Sequence, residues 1–151
     1  MECSVSGDVS RYLNALYDAY DHFDVRQTTV SVDRERFEAI ADRPDGIAVR
    51  VELESEGELI VRPDGDGWTL PGGVLESAPE PEAVAGAVER WTGIDCAIDE
   101  LDRVSLVGVR CDGRPRLWIV SATFSATVTG GSPGENAVWR ERDAAAAALL
   151  P

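Results

Sequence analysis

The sequence predicts a mixed fold of the α+β or α/β class with a helical extension at its N-terminus, and three observations carry that prediction. Residues 68–94, WTLPGGVLESAPEPEAVAGAVERWTGI, read as a short strand, a Pro-Gly-Gly turn, an acidic loop and an Ala-rich helix closed by Thr92-Gly93. Residues 47–54 alternate apolar and polar side chains, the period-two signature of a strand, and ELIVRP follows after a Glu56-Gly57 turn to give a hairpin. The N-terminal stretch instead spaces Tyr12, Leu13, Leu16 and Tyr20 as an amphipathic helix does. The expected division is an extension over residues 1–45 and a main domain over residues 46–151.

At 151 residues the chain suits one domain with a sizeable core, and its 44% hydrophobic content supports a globular fold. The net charge is -14, and all 14 basic residues are arginine, with no lysine. Such an acidic chain reads as adapted to a salt-rich cytoplasm, where a hydrated, charged surface keeps proteins soluble; an acidic surface for a basic partner is the rival reading. The charge argues against general nucleic-acid binding, because a polyphosphate is repelled unless arginines converge locally. At 1 M salt that repulsion is screened within about 3 Å, so a small phosphorylated ligand stays open. Cys3, Cys96 and Cys111 lack metal-ligand spacing and are odd in number, which speaks against a disulfide framework or a zinc site. His22 is the only histidine. Neither an apolar run of about 18 residues nor a basic n-region with an apolar h-region is present, so a cytoplasmic protein without a membrane anchor is expected.

Taken in order, residues 8–22 predict the first helix, with Asp8 as a candidate cap. Residues 26–32, RQTTVSV, suit a strand, and Ser31 or Asp33 before RERFEAIA suits the start of a second helix. Arg43-Pro44-Asp45-Gly46 reads as a turn, and the extension before it is suited to cover a sheet edge, form a homodimer or shape a ligand pocket. Two strands follow around Glu56-Gly57, and Asp64-Gly65-Asp66-Gly67 turns into the strand at Trp68. The two glycines after Pro71 permit positive φ and close backbone approach. Residues 95–110 hold one or two strands, Asp112-Gly113 makes a hairpin turn, and RLWIVSATFSATV is a long β-branched run. Residues 129–134 read as a flexible loop, Val138-Trp139 as a short strand, and the Ala-rich C-terminus as a helix.

Leu70, Pro71, Gly72, Gly73 and Glu76, followed by a helix and then Thr92, Gly93 and Ile94, resemble the front and back of the Nudix box, G-x5-E-x7-R-E-U-x-E-E-x-G-U. The resemblance covers roughly residues 45–151 and implies a Nudix-type α/β/α sandwich around a mixed sheet. The middle of the box is degenerate. Counted back from Gly93, the Arg-Glu pair falls on Gly86 and Ala87, and the Glu-Glu pair on Arg90 and Trp91. Glu82 and Glu89 lie about 220° and 200° around the helix from position 87, on the far side, where they read as a solvated face.

The resemblance implies an enzyme of the nucleoside-diphosphate-X hydrolase type that uses Mg²⁺ or Mn²⁺ held by helix glutamates. Without those glutamates, catalysis is expected to be reduced or lost and the metal dispensable. A rebuilt site would draw on Glu76 as catalytic carboxylate and metal ligand, with Glu80 as a second metal ligand and Glu135 as a late-loop base. Gly72, Gly73, Arg90 and Trp91 are the candidate ligand-binding residues. Arg90 either holds phosphate oxygens in a guanidinium fork or sits at the helix end, and Trp91 either stacks on a base or fills the volume of the missing glutamate. Three functions follow from these choices: a hydrolase with a rearranged site, a non-catalytic nucleotide sensor, and a protein-interaction or dimerisation module.

Overall fold

The computed structural model describes residues 7–42, 46–64, 67–76 and 78–142. The chain begins with α1 (Gly7–Ala19), β1 (Asp24–Ser31) and α2 (Arg34–Ala41). Asp33 caps α2 as its sequence position suggests, its carboxylate accepting the Arg36 backbone N–H at 2.8 Å. α1 already includes Gly7, so Asp8 lies within the helix and not at the position before it.

Next come β2 (Ile47–Ser55) and β3 (Glu58–Asp64), joined by Glu56 at φ 52° and Gly57 at φ 83°. Two positive φ angles in a two-residue loop match the twist of the flanking strands. Then follow β4 (Gly67–Thr69), β5 (Gly72–Leu75) and α3 (Pro81–Thr92). Residues 94–110 form one strand, β6 (Ile94–Arg110), rather than two; three register shifts against β7 (Leu117–Gly131) absorb its bend. Thr129, Gly130 and Gly131 belong to β7, because Ile94 and Asp95 pair with Gly131 and Gly130, so only the remainder of the expected loop is unpaired. The last described strand is β8 (Val138–Glu141). The turn at Arg43–Asp45, Gly65 and Asp66 of the next turn, and the expected C-terminal helix lie outside the described residues.

The sheet runs β1-β6-β7-β2-β3-β4, with β5 paired to β2 and β8 to β3. It is mixed: β1 is parallel to β6 and β2 to β7, and the other pairs are antiparallel. Of the roles open to the N-terminal extension, the sheet-edge one is seen in β1, which pairs from Asp24↔Arg103 to Ser31↔Arg110, and the pocket-shaping one in α2, whose Arg36 and Ile40 line a cleft.

Strand alternation divides the two faces. Ile47, Val49, Val51 and Leu53 of β2 are buried with Val120, Ala122 and Phe124 of β7, and α1 and α3 cover them with Leu16, Val84 and Val88. The intervening residues of β2, from Ala48 to Glu54, turn to the second face. There Arg142 reaches back to Glu52 at 2.8 Å and Glu54 at 3.2 Å. Arg36 and Ile40 of α2 overlie the other end of that face. The result is the α+β arrangement expected, with helices on both sides of a mixed sheet. Among the described residues no helix is long and apolar enough to cross a membrane.

Tyr20, just after α1, ties the extension to the loop before α3. Its hydroxyl donates to the Pro79 carbonyl at 2.8 Å, and its ring lies 5.3 Å from that of Phe124. Burial, with Glu82 and Glu80 adding to it, pushes the phenol up from 10.0 to about 12. The unfolded chain therefore ionises first as pH rises, so the stability Tyr20 contributes is complete below pH 10 and declines as pH passes through about 12. Tyr20→Phe is expected to cost about 0.5–1.5 kcal/mol near neutral pH and to flatten this alkaline decline. Urea titrations across pH in molar salt check both; an unchanged alkaline slope would show that Tyr20 is not its source.

Candidate functional site

A cleft of about 650 Å³ opens on the second face of the sheet, between α2 and the strand that carries the Pro-Gly-Gly sequence. Arg36 from α2, Arg50 from β2 and Arg62 from β3 line it, together with Gly72, Gly73, Thr69 and Ser121. Ile40, Val107 and Ile119 supply apolar wall. Arg50 takes its place because it occupies a second-face position of β2, opposite Gly72 in the register. The Arg62 Nη1 donates to the Gly72 carbonyl at 3.4 Å, which brings a second guanidinium to the same strand.

The turn itself is held by the Val51 N–H, which donates to the Pro71 carbonyl at 3.0 Å. Neither glycine after it takes a positive φ, contrary to the turn expected; both continue as extended strand. Their requirement for glycine is close approach. A Cβ at position 72 would overlap the Val49 carbonyl oxygen, and one at position 73 would stand 2.8 Å from Cζ2 of Trp91.

Trp91 thus lies directly against Gly73, its half-buried indole packed on the core. One helical turn earlier, Ala87 is fully buried with Val84 and Val88, while Arg90 is exposed. Gly93 closes the helix at φ 83°, and Thr92 Oγ1 donates to the Val88 carbonyl at 2.7 Å while accepting the Ile94 N–H at 3.0 Å. The Gly134 N–H donates to the Thr92 carbonyl at 2.8 Å, seating the loop after β7 on this end.

The structure brings Gly72 and Gly73 together with three arginines that the sequence reading did not single out. Trp91 stands behind Gly73, and neither it nor Arg90 is among the residues lining the cleft. Glu76 is exposed immediately after β5, and Glu80 is exposed at the N-cap of α3, without a side-chain capping bond. Glu135 is exposed in the turn before β8. Alternation alone placed Arg50 opposite the core; its meeting with Arg36 and Arg62 is set by the sheet order and by where α2 lies.

A divalent cation needs several oxygen ligands. The helix positions that the Nudix pattern fills with carboxylates here present a buried methyl at Ala87, a cation at Arg90 and an indole at Trp91. Among the described residues no group of three or more His, Cys, Asp or Glu side chains is placed to hold a metal ion. These helix positions do not supply the oxygen donors that Mg²⁺ or Mn²⁺ takes. What the cleft offers is guanidinium groups, which hold phosphate oxygens in bidentate forks but do not generate hydroxide from water.

A solved structure of a UDP-X diphosphatase matches this chain with a TM-score of 0.51 at 18% identity, over 80% of this chain and 62% of that one. The fold is of the Nudix type. A Nudix hydrolase from Nitrosomonas europaea matches at a TM-score of 0.49 and 17% identity, covering 68% of this chain and 61% of its own. An ADP-ribose pyrophosphatase from Streptococcus suis 89-1591 matches at 0.47 and 17%, covering 64% and 74%. The chain spans 62% of the length of the UDP-X diphosphatase. No protein-family model and no curated protein matches the sequence.

The contact between Gly73 and Trp91 is testable by overpacking. Gly73→Ala is expected to destabilise the protein by about 1–3 kcal/mol, because rigid neighbours must shift to admit the methyl group. In a Trp91→Ala background the same substitution should cost less than about 0.5 kcal/mol. A double-mutant cycle by denaturant unfolding measures the coupling; equal costs in the two backgrounds would show that Trp91 is not the neighbour that excludes a side chain.

Proposed function

We propose that the chain binds a small nucleoside-diphosphate-type ligand in this cleft, with Arg36, Arg50 and Arg62 taking the pyrophosphate charge that a metal ion would otherwise neutralise. The observation that carries this reading is the convergence of three arginines on the Gly72-Gly73 strand of a chain whose net charge is -14. Arginine is suited to the task because its planar fork matches two phosphate oxygens and stays charged at any pH the protein experiences. The glycine strand lets the ligand approach the backbone, and Ile40, Val107 and Ile119 provide the apolar surface against which a ring packs. The UDP-X diphosphatase that shares the fold is named for a compound of this chemical type, which supports the ligand class.

Binding without turnover follows from the same residues. Hydrolysis of a diphosphate needs an activated water, and neither the guanidiniums nor the indole of Trp91 supplies one. The chain then serves as a nucleotide sensor. Hydrolysis by a rebuilt site is the second reading, favoured by Glu76 and Glu80, which are exposed at the two ends of one short loop.

The test uses ADP-ribose, nucleoside triphosphates and dinucleoside polyphosphates in molar salt, with Mg²⁺ or Mn²⁺ supplied. At least one of them should raise the melting temperature without metal-dependent release of phosphate or nucleotide. Arg50→Gln with Arg62→Gln should weaken that binding by about tenfold or more, the scale expected for losing charge-assisted hydrogen bonds. Metal-dependent release abolished by Glu76→Gln would instead establish an enzyme with a rebuilt site.

A further inference from the structure

A second groove, of about 630 Å³, lies at the end of the sheet where β6 turns into β7 and α2 begins. Four of the chain's 14 arginines line it: Arg34 at the start of α2, Arg110 at the end of β6, and Arg114 and Arg116 in the connecting hairpin. The acids in its lining are Asp33 and Asp112. Asp33 already accepts the Arg36 backbone N–H as the helix cap. In a chain with twice as many acids as bases, 28 against 14, four arginines against two carboxylates is a reversal of the prevailing charge.

Two of the guanidiniums are held in place by neighbours. Arg114 pairs with Glu38 at 2.9 Å and lies 5.7 Å over the Phe37 ring, and Arg116 lies 5.7 Å over the Trp118 ring. A guanidinium placed over a ring face is attracted to it while keeping N–H groups available to an acceptor. Arg34 and Arg110 have no carboxylate partner among the described residues. Mutual repulsion of such a set is relieved by an anion with several oxygens, and the N-terminal dipole of α2 adds to the attraction.

We propose that this groove is an anion-binding site for the phosphate groups of a small polyanion, adjoining the cleft beside Gly72 and Gly73 at Val32 but lined by different arginines. The recognised chemistry is a di- or triphosphate, carried on a nucleotide or free in solution. Because the guanidinium groups of Arg34 and Arg110 pair with no carboxylate among the described residues, replacing these side chains tests the site without dismantling the fold.

The experiment is a ³¹P NMR titration of inorganic pyrophosphate, with ADP titrated in parallel, in molar KCl with folding verified by circular dichroism. It uses the full chain, Arg34→Gln with Arg110→Gln, and Arg50→Gln with Arg62→Gln. The Arg34/Arg110 double variant should lose one pyrophosphate equivalent, or at least tenfold in affinity, while the Arg50/Arg62 double variant keeps that equivalent. The same loss with ADP would identify a nucleotide as its carrier, and loss with pyrophosphate alone would identify a free polyphosphate. A wild-type chain that binds no pyrophosphate, or one whose binding the Arg34/Arg110 double variant leaves unchanged, overturns the proposal. Loss confined to the Arg50/Arg62 double variant also overturns it while supporting the cleft; the converse loss supports the groove and removes the cleft.

Discussion

The absence of side chains at Gly72 and Gly73 is the constraint on which the rest of the site depends. With hydrogen in place of Cβ, β5 closes on the Val49 carbonyl from one side and on the Trp91 indole from the other. It then pairs with β2 from Ile47↔Leu75 to Arg50↔Gly72, and this register puts Arg50 at the cleft. The same strand is therefore the wall between helix α3 and the cleft. Trp91 has the bulk to support that wall, and carboxylates at this end of the helix would have presented charge to it instead.

The second face of the sheet divides its polarity along the strands. At one end the acids are satisfied locally: Ser125 donates to Asp102, Thr127 to Asp99 at 2.7 Å, and Arg142 to Glu52 and Glu54. At the other end arginines gather, around α2 and the strands beneath it. A uniformly acidic surface would repel a phosphate from every direction. In the proposed function, separating the charges lets one region attract it while the remainder stays acidic.

Much of the frame was legible in the sequence because its signals are local. Asp33 before a helical run, Glu56-Gly57 between alternating segments, and Gly93 after Thr92 each act within a few residues, and each appears in the structure at its expected place. Glu82 and Glu89 are exposed, as the helical spacing required. Signals that depend on distant partners were not legible. The pairing of β1 with β6, the length of β6, and the meeting of Arg36, Arg50 and Arg62 come from sheet order rather than from nearest neighbours. Of the two glycine properties expected at Gly72 and Gly73, close backbone approach is seen and positive φ is not. Glycine's tolerance of positive φ is a property of one residue, whereas its tolerance of contact concerns what another part of the chain brings against it.

In the proposed function arginines, not a divalent cation, neutralise the pyrophosphate in the cleft. Calorimetric titration of ADP-ribose in molar KCl, with saturating Mg²⁺ and again with excess EDTA, tests it most directly. Measurable binding with equal affinity in the two conditions is the predicted result. Binding that appears only with Mg²⁺, or strengthens tenfold with it, would contradict the claim and place a metal ion in the site.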